Sequence, residues 1–169
     1  LVLLIILTLL FVGNDTGVFV SIDGGASWVK MNNNMPNIPV HDLVVHPRDN
    51  DLVLGSYGRG VWVTNVSALQ QLTPAVLASD VYLFNSDPGV QRIHWSFGAN
   101  DYFFGQRHFL TPNAPSGLAI RYYLKNASAT PPVVTVKNAG GQQVARLNGT
   151  GNAGINTVMW TMRVGGGGR

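Results

Sequence analysis

The chain has 169 residues, a formal net charge of +3, no cysteine, and charged side chains at only 11% of its positions. The lack of cysteine excludes disulfides, thiolate chemistry and cysteine-based zinc sites. The small net charge comes from scattered lysines and arginines, which argues against nucleic acid as a partner. Frequent glycine and proline together with few charges predict an all-β protein with a polar surface.

The first twelve residues are almost entirely apolar. This run is too short to span a bilayer, so no membrane span is predicted. It resembles the apolar core of a signal peptide, but a basic start and a small-residue cleavage site are missing. We therefore interpret residues 1–12 as one or two buried strands of a β-sheet.

A β-hairpin is predicted around the glycine pair Gly24-Gly25, because apolar residues alternate on both sides of it. The glycines can adopt the positive φ of a tight turn, and Asp23 can accept backbone N–H groups within it. Trp28 would supply a large apolar anchor where the return strand starts.

The hairpin segment, residues 21–28, reads Ser-Ile-Asp-Gly-Gly-Ala-Ser-Trp. It resembles the Asp-box, the Ser-x-Asp-x-Gly-x-Thr-Trp hairpin of bacterial neuraminidase-repeat propellers, with serine in place of the usual threonine. In those families the Asp-box lies on outer loops, away from the central site. The resemblance therefore implies a structural role for five residues: Ser21, Asp23, Gly25, Ser27 and Trp28.

A second strand–turn–strand unit follows at an offset of about 42–43 residues, the length of a propeller blade. Gly13 aligns with Gly55 and Gly17 with Gly60. After the second unit the Asp-box is lost, and terminal repeats are usually atypical. We therefore predict that residues 1–66 are the last blades of a larger propeller. The same alignment matches Phe19 with Trp62 and Ser21 with Thr64.

Residues 67–116 are predicted to be a linker with a short helix and a long loop. The helix would begin with Thr73 as N-cap and Pro74 at its first position. A strand follows at 81–84. The loop spans 86–116 and has one strand at 91–95.

Residues 117–164 predict a β-sandwich that includes strand 81–84, followed by a flexible tail at 165–169. Its predicted strands lie at 118–124, 132–138, 142–147 and 155–162. The region is similar to the immunoglobulin-like domain of flagellar hook-assembly proteins. The residues that carry this likeness are Asn138, Gly141, Val144, Leu147, Ala153, Gly154, Asn156 and Trp160.

The order of these segments resembles the C-terminus of bacterial exported propeller proteins of the sortilin-like class, often labelled glycosyl-hydrolase-like. The fold expectation is thus terminal β-propeller blades followed by an Ig-like β-sandwich. The resemblance also implies secretion to the periplasm or the cell exterior.

No catalytic, cofactor or metal site can be assigned from the sequence. All eight acidic residues are aspartates, mostly beside glycine, asparagine or proline, where they favour turns and caps. There is no facing carboxylate pair, no Gly-x-Ser-x-Gly elbow and no histidine spacing typical of metal ligands. The chain by itself is not expected to be an enzyme.

Weak binding candidates are Arg59, held between two glycines, and the aromatics Trp95, Tyr102 and Phe103 in the long loop. The aromatics either form a binding platform for carbohydrate or protein, or fill the seam between blade and sandwich. The second alternative is favoured, because exposing aromatic side chains to water is costly.

Three functional hypotheses follow. The first is a noncatalytic binding or scaffold segment of an extracellular propeller protein, with a protein, peptide or glycan ligand. The second is part of a glycoside hydrolase whose catalytic residues lie in upstream blades. The third is a subunit of an extracellular assembly that associates through open strand edges.

Overall fold

The computed structural model describes residues 2–6, 8–89 and 117–163. Within these ranges the chain forms four small antiparallel sheets, one short helix and one 3-10 turn, and no sheet closes on itself. The all-β prediction is confirmed. The predicted strand at 91–95, nearly all of the long loop and the tail at 165–169 lie outside the described residues.

The first sheet has four strands in chain order: β1 (Val2–Ile6), β2 (Leu9–Asn14), β3 (Gly17–Ser21) and β4 (Val29–Lys30). Each strand pairs antiparallel with the next one. The apolar start of the chain therefore forms two strands, as its composition predicts.

The second sheet has three strands, again in chain order: β5 (Val40–His46), β6 (Asp51–Ser56) and β7 (Val61–Asn65). Strands β2–β3 and β6–β7 are the two copies of the sequence repeat, and both are antiparallel hairpins. Val12 is the cross-strand partner of Phe19, and Leu54 is the partner of Trp62. The alignment of the repeat therefore holds at the level of strand register.

The core of the protein lies between these two sheets. Phe11 and Val18 of the first sheet and Leu52 of the second are fully buried in a single apolar cluster. The sheets approach closely at Gly13, where an added Cβ atom would lie 2.7 Å from Val40 Cγ1. The other buried members of the cluster are Leu9, Val20, Met35, Ile38, Val40, Leu43, Leu54 and Val66.

A 3-10 turn (Leu69–Gln71) and helix α1 (Pro74–Ala78) follow the second sheet. The Thr73 hydroxyl accepts a hydrogen bond from the backbone N–H of Val76 at 3.3 Å, so the predicted N-cap is confirmed. Val76 packs with Ala68 and Phe84 in a second, smaller apolar cluster.

The third sheet contains β8 (Val81–Leu83), β9 (Leu118–Leu124) and β12 (Gly154–Trp160), in the order β12-β9-β8. The fourth sheet pairs β10 (Val133–Lys137) with β11 (Gln143–Asn148). The sequence predicts four strands after residue 117, and all four are present: β9 has the predicted ends, and the ends of the other three differ by one or two residues.

A buried polar network holds the loop before β12. Asn156, which is 4% exposed, accepts from the Thr150 hydroxyl at 2.6 Å and donates to the carbonyls of Asn152 and Gly154. The buried Tyr122 hydroxyl donates to the Thr150 carbonyl at 2.7 Å and accepts from the Thr150 N–H at 2.6 Å. These bonds fix the loop against β9.

Candidate functional site

The loop between β3 and β4, residues 21–28, is organised around the carboxylate of Asp23. Asp23 Oδ1 accepts from the Ser21 hydroxyl at 2.7 Å and from the Ser27 N–H at 2.9 Å, while Oδ2 accepts from the Ser27 hydroxyl. The Ser21 hydroxyl oxygen also accepts from the Gly25 N–H at 2.8 Å. The carboxylate is thus occupied by donors from its own loop.

These donors stabilise the charged form of Asp23. They lower the pKa of the carboxyl from 3.8 to about 2, with the Ser27 hydroxyl as the largest cause, followed by the Ser27 N–H and the Ser21 hydroxyl. A carboxyl with so low a pKa is ionised at neutral pH and is a poor proton donor. Its chemistry fits turn formation rather than acid catalysis.

The two glycines of the loop both have positive φ, 73° for Gly24 and 97° for Gly25, which explains why glycine occupies both positions. The Gly24 N–H donates to the Thr8 carbonyl at 2.9 Å and so fastens the loop to the start of β2. The loop is therefore part of the framework of the first sheet.

Trp28 closes the loop, but it is less buried than an apolar anchor would be. Its indole N–H donates to the Gly25 carbonyl at 3.1 Å, yet 40% of the residue is exposed. Trp28 therefore serves as an apolar anchor with only part of its surface. The strand that follows it, β4, has two residues and lies at the edge of the sheet.

Arg59 lies at the tip of the turn between β6 and β7. Both flanking glycines have positive φ, and the Ser56 N–H and hydroxyl donate to the Gly60 carbonyl at 3.2 and 2.7 Å. Arg59 is exposed and makes no hydrogen bond or ion pair with another described residue. A binding role for it stays a prediction, and Trp95, Tyr102 and Phe103 lie outside the described residues.

The structure adds an exposed aromatic pair beside that turn. Tyr57 stacks on His41, with ring centroids 5.5 Å apart and an interplanar angle of 24°. The position of Tyr57 next to the Gly58-Arg59-Gly60 turn was visible in the sequence. Its contact with β5 was not, because it depends on the register of β5 against β6.

A cleft of about 320 Å³ opens between the loop after β4 and strand β7. Trp62 lines it, and the indole nitrogen of Trp62 is buried with no hydrogen-bond partner among the described residues. The sequence does not predict this cleft, although a run of three asparagines, 32–34, marks the loop that lines it. The other lining residues are Met31, Asn32, Asn33, Asn34, Met35, Leu54, Val63 and Thr64.

The cleft has a neutral lining, and one of its amides is already occupied. Asn32 accepts from the Val18 N–H at 3.3 Å and donates to the Thr16 carbonyl and to Asn37. Asn33 and Asn34 are exposed. The cleft therefore combines free amide groups with an apolar wall.

In the part of the chain that the structure describes, the other ionisable groups form no arrangement that points to catalysis. Within the described ranges no three histidine or aspartate side chains are grouped to hold a metal ion. Asp49 pairs with Arg48 at 2.8 Å and with His46 at 3.2 Å, in an exposed turn. The hydrogen bonds from Arg48 lower the pKa of Asp49, which is typical of a solvated turn pair.

No protein-family model, curated protein or solved structure matches this chain. In the described part of the chain, no helix has the length and apolar character needed to cross a membrane.

Proposed function

We propose that the chain is a noncatalytic binding or scaffold segment of an exported β-propeller protein. The observation that carries this proposal is the state of Asp23, whose carboxylate is used by the hydrogen bonds of its own loop. In this proposal residues 21–28 are an Asp-box that stabilises a blade.

Two features support propeller architecture for residues 1–66. Two antiparallel sheets carry the same hairpin repeat and stack face to face around a shared core. The Asp23 loop joins the third strand of its sheet to the fourth. For the later strands we propose an Ig-like spacer or docking module, and secretion for the whole chain.

The ligand site that we propose is the cleft beside β7. Its volume of about 320 Å³ lies at the lower end of ligand pockets. Amide groups of Asn33 and Asn34 beside an apolar wall that includes Trp62 suit a neutral, hydrogen-bonding ligand. A short peptide segment or a neutral glycan has that chemistry.

Arrays of neutral glycans and of peptides test the proposal. We expect saturable retention of the chain by one of the two, and at least tenfold weaker retention for Asn34→Ala. Asn126→Ala, which changes an exposed asparagine after β9, is the matched control and should bind normally. Absence of retention on both arrays would contradict the proposal, and so would equal loss in the control.

A further inference from the structure

The second sheet has two apolar faces, and among the described residues only one of them is covered. Leu43, Leu54 and Trp62 point toward the first sheet and belong to or pack against the shared core. The opposite face carries a group of valines, three of which are 54%, 68% and 60% exposed. This valine face consists of Val44, Val53, Val61 and Val63.

Strand register places the valines side by side. Val44 of β5 is the cross-strand partner of Val53, and Val53 is the partner of Val63. Val61 lies two residues before Val63 and so on the same side of β7. The row crosses all three strands, which makes it a continuous apolar face rather than scattered exposed side chains.

The repeat identifies the counterpart of this face in the first sheet. With Gly13 on Gly55 and Gly17 on Gly60, Phe11 corresponds to Val53, Val18 to Val61, and Val20 to Val63. Phe11, Val18 and Val20 are buried because the second sheet covers them. In the first sheet, the equivalent surface is covered by a stacked sheet. The valine face is therefore the surface of the second sheet on which the repeat would place the next sheet.

The chain also carries the complementary surface. In the internal interface, the side of the second sheet that covers the first includes Leu54 and Trp62. Their counterparts in the first sheet are Val12 and Phe19, which are cross-strand partners and only half-buried. We call Val12 and Phe19 the partner face; it lies on the side of the first sheet away from the core.

We propose that a second copy of this chain stacks its partner face on the valine face, continuing the interface that already joins the two sheets. Such a contact is head-to-tail, because the valine face of one copy meets the partner face of the next copy. Head-to-tail contacts form rings when the rotation closes and filaments when it does not. At two sheets per copy, a ring of propeller size would take roughly two to four copies.

Sedimentation velocity of the folded chain over a range of concentrations tests the proposal. The wild-type chain should associate, and Val44→Lys should be monomeric or associate at least tenfold more weakly. Val81→Lys is the matched control, because Val81 is 61% exposed but belongs to the third sheet. A monomeric wild-type chain would overturn the proposal. Association unchanged by Val44→Lys would also overturn it and would point to open strand edges.

A mixing experiment tests the head-to-tail geometry. Val12→Lys should also abolish association, since it disables the partner face. If circular dichroism shows that Val12→Lys is unfolded, Phe19→Gln, a variant on the same face, is used in its place. A mixture of Val44→Lys and Val12→Lys should form a one-to-one pair, because each copy supplies the surface that the other lacks. No pair in the mixture would overturn the stacking. Neither the sedimentation nor the mixing experiment depends on the ligand cleft. A failure to bind ligand would therefore contradict the proposed function but not the stacking of copies.

Discussion

The first two sheets bury Phe11, Val18 and Leu52 against one another, whereas the third sheet buries the side-chain amide of Asn156 among hydroxyl and carbonyl groups. In the described residues, the cluster between the first two sheets contains eleven buried residues, and the cluster beside the third sheet contains three. The two regions of one all-β chain are thus stabilised by different interactions.

This difference determines which substitutions each region tolerates. Apolar packing between two sheets depends on volume and shape, so it is sensitive to cavities and to added atoms. A buried polar network depends on every donor and acceptor having its partner, so it is sensitive to changes that preserve volume but remove a hydrogen bond. The comparison can be tested with one substitution of each kind.

The largest effect is expected from Phe11→Ala. The ring is fully buried between the two sheets, and its removal should lower the free energy of unfolding by about 3–5 kcal/mol. Urea denaturation followed by circular dichroism measures it. Phe84→Ala is the matched variant, since Phe84 is also buried but in the smaller cluster, and it should cost less. Equal losses at the two sites would contradict the contrast in packing.

A smaller loss is expected from Asn156→Ala, about 1–3 kcal/mol, because the carbonyls of Asn152 and Gly154 lose their donor. Asn156→Asp keeps the size but sets a carboxylate against those carbonyls, so it should be destabilising at neutral pH and partly restored in acid. Denaturation at pH 7 and pH 4 compares the two variants. If Asn156→Asp were as stable as the wild type at pH 7, the polar network would not hold the loop.

The smallest effect concerns acid stability at Asp23. Its folded pKa of about 2 lies below the ordinary value of 3.8, so its contribution is present above pH 3.8 and is lost as the pH falls toward 2. Asp23→Asn should show a shallower fall in melting temperature over that range. Thermal denaturation between about pH 5 and pH 2 measures the two slopes, and parallel curves would show that the loop does not stabilise the charged carboxylate.

Local patterns in the sequence predict much of this structure. The alternation around Gly24-Gly25, the Thr73-Pro74 helix start and the four strands after residue 117 all depend on neighbouring residues, and all appear. The Ser21, Asp23 and Ser27 bonds likewise follow from a short motif.

Other features depend on contacts between distant segments and so escape a local pattern. The stacking of Tyr57 on His41 and the cleft beside Trp62 arise from how β5 and β7 are positioned. The exposure of Trp28 depends on β4 being a short edge strand, which alternation alone does not reveal. For the same reason the pairing of β9 with β12, rather than with β10, required the structure.

The central claim is that the first two sheets stack face to face with Gly13 against Val40, and a double-mutant cycle tests it most directly. Gly13→Ala should destabilise by about 1–3 kcal/mol, because its Cβ atom would overlap Val40 Cγ1. Its repeat counterpart, Gly55→Ala, has ordinary contact distances and should cost less. In Gly13→Ala/Val40→Ala the shortest contact, with Val40 Cγ1, is removed, while the contacts at 3.0 Å with the Cβ atom and the carbonyl oxygen of residue 40 remain. The double variant should therefore lose less stability than the two single losses together. Additivity within about 0.5 kcal/mol would contradict the stacking.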